Sequence, residues 1–249
     1  IFNRLSLMIG DYLGVGTLDK VRRRNLNASD GVYVLNSTEK RELSSIFKVD
    51  SDRIHVIHLA IPEEHFKLYD SIDAGLFYDT YQIKDFVFYP SAKVSKRKRQ
   101  VQLLKALQNS AHSIVLTGCD EIEGSIEAEF NELVKNNHNV LALPKVSKEL
   151  LISCYKNARV CVSLSSAETA GIANLEAAYA GCNLVVSDIP PFREYLRQFA
   201  TYINPLSLRD IQDQITLAMA VKHDPNVIDF IRSNFTWNAY GRKFLKSLD

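Results

Sequence analysis

Residues 165–181 read SSAETAGIANLEAAYAG, and the fold follows from what stands on either side of Gly171. Before it, residues 159–164 (RVCVSL) form an apolar run. A run without polar alternation is what a strand covered on both faces requires, and such strands belong to parallel sheets. After it, Ala177, Ala178 and Ala180 let a helix pack closely on a sheet. A strand, a short polar loop with a glycine and then a helix place free backbone N–H groups where an anion binds. Glu168 precedes the glycine, and Glu176 follows eight positions later, inside the helix. With the helix beginning near Ile172, Glu176 falls on its second turn, about 6 Å along the axis at roughly 1.5 Å per residue. The two carboxylates therefore suit different parts of one elongated ligand better than one shared proton. Taken singly, each has an ordinary alternative, because most glutamates are exposed: a solvated loop for Glu168, a surface helix face for Glu176.

Outward from that loop the same alternation repeats. Residues 86–90 (FVFYP), 113–117 (SIVLT), 139–143 (NVLAL), 159–164, 183–187 (NLVVS) and 200–203 (ATYI) read as strands. Residues 98–109, 122–136, 147–157, 172–181, 191–197 and 207–222 read as helices. This rhythm predicts an α/β fold with a doubly wound parallel sheet of Rossmann-like type. Upstream, residues 32–35 (VYVL) and 53–57 (RIHVI) are further strands, separated by the helix STEKRELSSIF with Ser37 as its expected N-cap. IPEEHF reads as a turn into a linker, and residues 66–85 as the place of an insertion. The opening, IFNRLSLMIGDYLGVG, is apolar-rich; the segment after it carries Arg22, Arg23 and Arg24, read as a solvated helix face. Near the end, NFTWNAYGRKFLKSL can bury Phe235, Trp237, Tyr240 and Phe244 on one side.

Composition narrows the function classes. A chain of 249 residues holds one large domain or two small ones, at about 150 residues per domain. Hydrophobic residues make up 46% and charged residues 24%, as in an ordinary globular protein. A net charge of +1 gives no general pull toward nucleic acid or anionic lipid. Cys119, Cys154, Cys161 and Cys182 lie in or beside apolar segments without C-x-x-C spacing, which reads as reduced thiols in a cytosolic protein. No apolar run approaches the ~18 residues of a membrane span, and no signal peptide is visible. The first residue is Ile1, which reads as a piece of a longer protein. G-x-S-x-G, H-E-x-x-H, Walker A and G-x-G-x-x-G patterns are absent from the sequence, against hydrolase, zincin, NTPase and dinucleotide chemistry. Asp50-Ser51-Asp52 precedes a strand and reads as a polar turn, and the six histidines show no ligand spacing.

A second chemical signal follows the strand at 86–90. In SAKVSKRKRQVQLLKAL, Lys93, Lys96, Arg97, Lys98 and Arg99 form a basic loop between a strand and a helix. Cations there add to the helix N-terminal N–H groups, a combination that suits phosphate. Without interleaved aromatics the loop does not fit nucleic acid, and a solvated charge run is its plain alternative.

Together these motifs resemble the retaining GT-B glycosyltransferases of the "group 1" type, glycosyltransferase family four. Ser165, Glu168, Gly171, Ile172, Leu175, Glu176, Ala177 and Gly181 match its E-x7-E signature, while Thr169, Ala170 and Ala173 depart from it. Tyr89-Pro90, Lys93, Lys98 and the run Leu103-Leu104-Lys105-Ala106 fit its basic-loop frame, with Lys98 at the phosphate-contacting lysine and Arg99 in place of Asn or Gly. Residues 114–118, 143–160 and 185–196 fit further segments and put Glu194 at another acidic position.

The resemblance implies the C-terminal half of a GT-B architecture. Residues 1–62 would be the remnant of an acceptor-side domain and 63–224 the Rossmann-like donor-binding domain. Residues 225–249 would be the C-terminal helix crossing back toward the first domain. Catalytic roles are implied for Glu168 and Lys98, and donor-binding roles for Lys93, Thr169, Ala170, Gly171, Ile172, Glu176 and Glu194. The donor implied is a UDP-sugar or GDP-sugar, with no metal and no cofactor. A glycan or lipid-linked acceptor would be glycosylated in polysaccharide, lipopolysaccharide or glycoconjugate biosynthesis. The expected location is cytoplasmic, at the inner face of the membrane through a first domain, with the isolated chain inactive. The competing expectation is a nucleotide-sugar-binding module without turnover.

Overall fold

The computed structural model describes residues 16–248, with side chains from Lys20 onward; the apolar-rich opening lies outside the described residues, Gly16 apart. Two compact units divide them: residues up to Leu59 with those from Tyr240 onward, and Ala60–Ala239.

The first unit runs α1 (Gly16–Ala28), β1 (Val32–Val34), α2 (Ser37–Phe47) and β2 (Ile54–Val56). The strands pair in parallel with Val32 opposite Ile54, and Val34, Val49 and Ile54 are buried together. The cap of α2 is Asn36 rather than Ser37. Asn36 keeps an extended backbone, φ −155°, and its side chain accepts from Glu39 N–H at 2.9 Å, whereas Ser37 is already helical. Asp50 caps a single 3-10 turn, Ser51–Arg53, accepting from Asp52 N–H at 3.0 Å.

The second unit opens with two helices where the sequence suggested a linker and an insertion. α3 spans Glu63–Ser71 and α4 spans Gly75–Tyr81. Neither has a side-chain cap at its N-cap residue. Glu63 and Glu64 in the first turn of α3 offset its dipole instead. At α4 the Asp73 carboxylate accepts from Gly75 N–H at 2.8 Å, and further help comes from far along the chain: Ser153 Oγ accepts from Phe77 N–H and donates to the Ala74 carbonyl, both at 2.8 Å.

The doubly wound sheet then forms as expected: β3 (Phe86–Tyr89), α5 (Gln100–Ala106), β4 (Ile114–Leu116), α6 (Glu127–Lys135), β5 (Val140–Ala142), α7 (Lys148–Asn157), β6 (Ala158–Ser163), α8 (Ile172–Tyr179), β7 (Asn183–Ser187), α9 (Pro190–Leu196), β8 (Thr201–Ile203) and α10 (Leu208–Ala220). The strands are all parallel in the order β5-β4-β3-β6-β7-β8. α6 begins five residues later than the pattern suggested, because the preceding stretch turns through a bridge between Val94 and Ile122.

Alternation along β3 divides the core. Val87 and Tyr89 pack with Val160, Val162, Leu103 and Ile211 on one face. Phe86 and Phe88 face the other way, where Phe86 meets Phe77 at 5.1 Å and Phe88 meets Tyr155 at 5.2 Å between ring centroids. Phe88 is fully buried, so truncation to Ala would cost about 3–5 kcal/mol. β3 and β6 lie side by side, yet the chain proceeds from them to opposite edges. Their following loops diverge, and a crevice opens at that reversal.

After α10 come α11 (Asn226–Asn234) and α12 (Trp237–Lys246). Here the second unit closes on itself. Ile61 N–H donates to the Phe235 carbonyl at 2.6 Å, and Ile61 bridges Thr236 in parallel. Beside this, Arg232 of α11 reaches Asp70 at 3.2 Å and Glu63 at 3.7 Å on α3.

Candidate functional site: the crevice between β3 and β6

Two loops meet at the reversal of strand order, and a buried phenol joins them. The Tyr89 hydroxyl, at the end of β3, donates to the Lys98 carbonyl and accepts from Leu164 N–H, the latter at 3.1 Å. Ser166 N–H donates to the Arg97 carbonyl at 2.9 Å. The basic loop is also pinned from within: the Gln100 side chain accepts from Ser95 N–H at 3.2 Å and donates to the Lys93 carbonyl at 2.9 Å. A loop rich in like charges thus holds a fixed shape through hydrogen bonds of the protein itself.

Glu168 lies on the second loop with its side chain 16% exposed. Lys98 Nζ donates to its Oε1, and Arg97 Nη1 donates to the same oxygen at 3.1 Å. Burial alone would raise this carboxyl, but the Lys98 hydrogen bond and the two cationic charges outweigh it and hold it below the ordinary carboxylate value. Gly171 then starts α8 in the left-handed region, φ +63°. A Cβ there would stand 2.7 Å from Phe192 Cε1.

Glu176, one turn into α8, is buried apart from a 17% exposed side chain, not the surface position a helix glutamate ordinarily takes. Burial pushes its carboxyl up to about 6, against the opposing pull of Lys148 and of a hydrogen bond with Tyr69. His65 Nδ1 lies 4.0 Å from Glu176 Oε1. His65 and Tyr69 both belong to α3 and stand four residues apart, hence on one face. Burial, then Lys148, lowers the His65 pKa despite the opposing charge of Glu64, so its imidazole favours the neutral form. In the sequence the six histidines show no ligand spacing, and no motif there marks Tyr69. The available signal was a helix start after Pro62, with an acidic first turn and the His65–Tyr69 spacing.

Two cavities open on these groups. One of about 290 Å³ is lined by Pro90, Lys98, Thr117, Lys145, Tyr155 and Glu176 among others. A second, of about 180 Å³, is lined by Lys98, Val162, Glu168, Gly171, Ile172 and Asn174 among others. The structure therefore brings together Lys98, Glu168, Gly171, Ile172 and Glu176. Ala170 is buried just before the glycine and Thr169 is exposed in the loop. Lys93 points elsewhere: its ammonium lies 3.5 Å from Glu121. Glu194 is half-buried on α9, outside both linings. Lys145, whose N–H donates to Asp120 at 2.7 Å, enters the larger lining without having been singled out from the sequence.

Chemically, the crevice offers cations and helix-start N–H groups at its centre and one carboxylate on either side. That suits an anionic, hydroxyl-rich ligand. No group of three or more His, Cys, Asp or Glu placed to hold a metal ion occurs among the described residues, and no helix among them is long and apolar enough to cross a membrane.

Comparison with known proteins agrees on the fold. A glycosyltransferase from Rickettsia africae superposes with a TM-score of 0.75 at 15% identity, covering 90% of this chain and 65% of that one. Sucrose-phosphate synthase from Thermosynechococcus elongatus gives 0.75 at 18% identity, over 91% and 59%. Anabaena HepE in complex with UDP-glucose gives 0.77 at 14% identity, over 92% and 66%. The chain thus spans less than two thirds of each of these structures. No curated protein matches the sequence. Residues 79–228, which hold β3 through β8 and both loops of the crevice, match the model for glycosyl transferases group 1. The six-stranded parallel sheet and that match together place the chain in the glycosyl transferases group 1 family, with the GT-B type of fold.

Proposed function

We propose that the chain supplies the donor-binding part of a retaining glycosyltransferase that uses a nucleoside-diphosphate sugar. The observation carrying this reading is that Lys98 lines both cavities, with Glu176 across one and Glu168 across the other. A diphosphate at Lys98 would send its nucleoside toward Glu176 and its sugar toward Glu168. Glu176 accepts hydrogen bonds from ribose hydroxyls, and Glu168 orients sugar hydroxyls near the reacting carbon. Lys98, with the N–H groups at Gly171 and Ile172, stabilises negative charge as it develops on the departing diphosphate, the kind of preorganised electrostatics that accelerates group transfer. The cations take the neutralising part that a metal would otherwise play, so binding is metal-independent on this reading.

The acceptor, a glycan or a lipid-linked sugar, would meet the donor from a further domain on the acceptor side, with peripheral membrane attachment there and a cytoplasmic setting. Residues 1–62 belong to that side, 63–224 to the donor side, and the last helix returns to the first. UDP is the favoured nucleotide, since the Anabaena neighbour holds UDP-glucose. On this reading the chain alone binds nucleotide but transfers no sugar. Calorimetric titration with UDP and GDP tests it: saturable binding at sub-millimolar nucleotide, unchanged by EDTA, is expected. No heat up to millimolar nucleotide would remove the donor-site reading, and binding that collapses in EDTA and returns with manganese would remove its metal independence.

A further inference from the structure

The basic loop offers five cations, Lys93, Lys96, Arg97, Lys98 and Arg99, and the structure separates their uses. Lys93 lies against Glu121, with both side chains more than half exposed, at 56% and 69%. Arg99 Nη1 donates to the Leu164 carbonyl at 3.3 Å. Only Arg97 and Lys98 are shown converging on a single acceptor atom, Glu168 Oε1. Arg97 is fixed there at both ends. Its carbonyl accepts from Ser166 N–H at 2.9 Å, and its guanidinium donates to the Ala167 carbonyl at 2.7 Å.

Resting on the donor-site reading, we propose that Arg97, and not Lys93, is the second cation that meets the donor diphosphate, and that Glu168 holds the anion's place until the donor arrives. The physical case has three parts. Two cations converging on one small region repel unless an anion lies between them, and Glu168 is the anion between these two. Glu168 is held ionised by Lys98 and Arg97 against its own burial, so it is a charged competitor. A diphosphate brings more charge and more acceptor oxygens than one carboxylate, and a guanidinium fork matches phosphate oxygens in pairs where an ammonium cannot. Donor binding would then displace Glu168 from both cations and release its carboxylate toward the sugar hydroxyls. No covalent bond changes in this exchange. Arg97 acts as a donor-binding residue, and Glu168 serves in turn as place-holder and sugar ligand.

The test is calorimetry on the 249-residue chain with UDP, UMP and uridine, alongside the guanosine series. Arg97→Ala is expected to weaken diphosphate binding about ten-fold, the effect of one charge-assisted hydrogen bond, to weaken the monophosphate less, and to leave the nucleoside within about two-fold. Arg97→Lys should recover only part of the loss, because a point charge lacks the fork. Glu168→Gln should strengthen diphosphate binding several-fold, since the competing charge is gone. Lys93→Ala should cost less than Arg97→Ala. Thermal unfolding of each variant checks that the fold is intact. A larger loss from Lys93→Ala than from Arg97→Ala, or weaker UDP and GDP binding by Glu168→Gln, would overturn the inference while leaving the donor site standing. Absence of any nucleotide binding by the unsubstituted chain would remove the donor-site reading and this inference with it.

Discussion

Glu176 sets stability against binding. Its folded-state pKa, about 6, lies above the 4.5 of an ordinary glutamate. Between those values the folded chain keeps a proton that the unfolded chain has lost. The stability this carboxyl contributes is therefore fully present below about pH 4.5 and is lost as pH rises through about 6. The loss amounts to about 2 kcal/mol at ~1.4 kcal/mol per ten-fold. Glu176→Gln, which never ionises, should raise the unfolding free energy by up to that amount at pH 7.5 and change it little at pH 4, read by urea titration at both. The same change should weaken nucleoside binding by about ten-fold or more, because hydrogen bonds to a charged acceptor are worth about 1.5–3 kcal/mol. Uridine and guanosine carry no phosphate to titrate, so their affinity should climb through about pH 6 in the unsubstituted chain and lie flat in the variant. His65 and Lys148 also face this carboxylate. Tyr69, raised chiefly by burial and then by the Glu176 charge, stays protonated across the window. Equal stability of Glu176→Gln at both pH values would mean that the carboxylate is well solvated after all. The spacing of Glu168 and Glu176 was readable along the chain. The joining of Lys98 to Glu168 was not, because 70 residues separate them and no local pattern encodes a long-range ion pair.

Whole elements were legible where burial imposed a composition and hidden where capping came from a distance. β3, β6 and β7 carry apolar runs because helices cover both faces of the sheet, and that requirement is written in the middle residues of each strand, Val160–Val162 and Leu184–Val186 among them. α3 shows only an acidic first turn after Pro62, and α4, beside its local Asp73 contact, borrows Ser153, which no window of local sequence contains. The element joining the two halves of the site, the loop into α8, turns on Gly171. Gly171→Ala should cost roughly 1–2 kcal/mol for the left-handed backbone and more for the contact with Phe192. Since Phe192 is a side chain, Phe192→Leu should recover part of that second cost in a double-mutant cycle of denaturant midpoints. Gly118 provides the contrast. At φ +74° its added Cβ would run into the Ser91 carbonyl oxygen and lie 2.6 Å from the Ala92 carbonyl carbon. Both belong to the backbone, so no side-chain trimming should rescue Gly118→Ala. Additive losses in the Gly171–Phe192 pair would show that the loop moves instead of the ring.

At the scale of the molecule, the doubly wound order of the second unit was legible from the alternation of strand and helix, but its closure was not. Ile61 meets Phe235 and Thr236, and Arg232 meets Glu63 and Asp70, across nearly the full length of the unit. Contacts between positions so far apart carry a larger loop-closure cost than neighbouring strand pairs, so they should form after the sheet has assembled. Arg232→Ala, worth about 1 kcal/mol for a partly exposed charge network, should therefore leave the refolding rate nearly unchanged and speed unfolding about five-fold. Stopped-flow denaturant jumps read both limbs, and a slowed refolding limb would place the closure in the nucleus. A consequence reaches back to biosynthesis. Every residue of the crevice, from Pro90 to Glu176, leaves the ribosome before Phe235 does. At roughly 5–20 residues per second, the loops that face the ligand exist for some seconds on a nascent chain whose fastening has not yet been made.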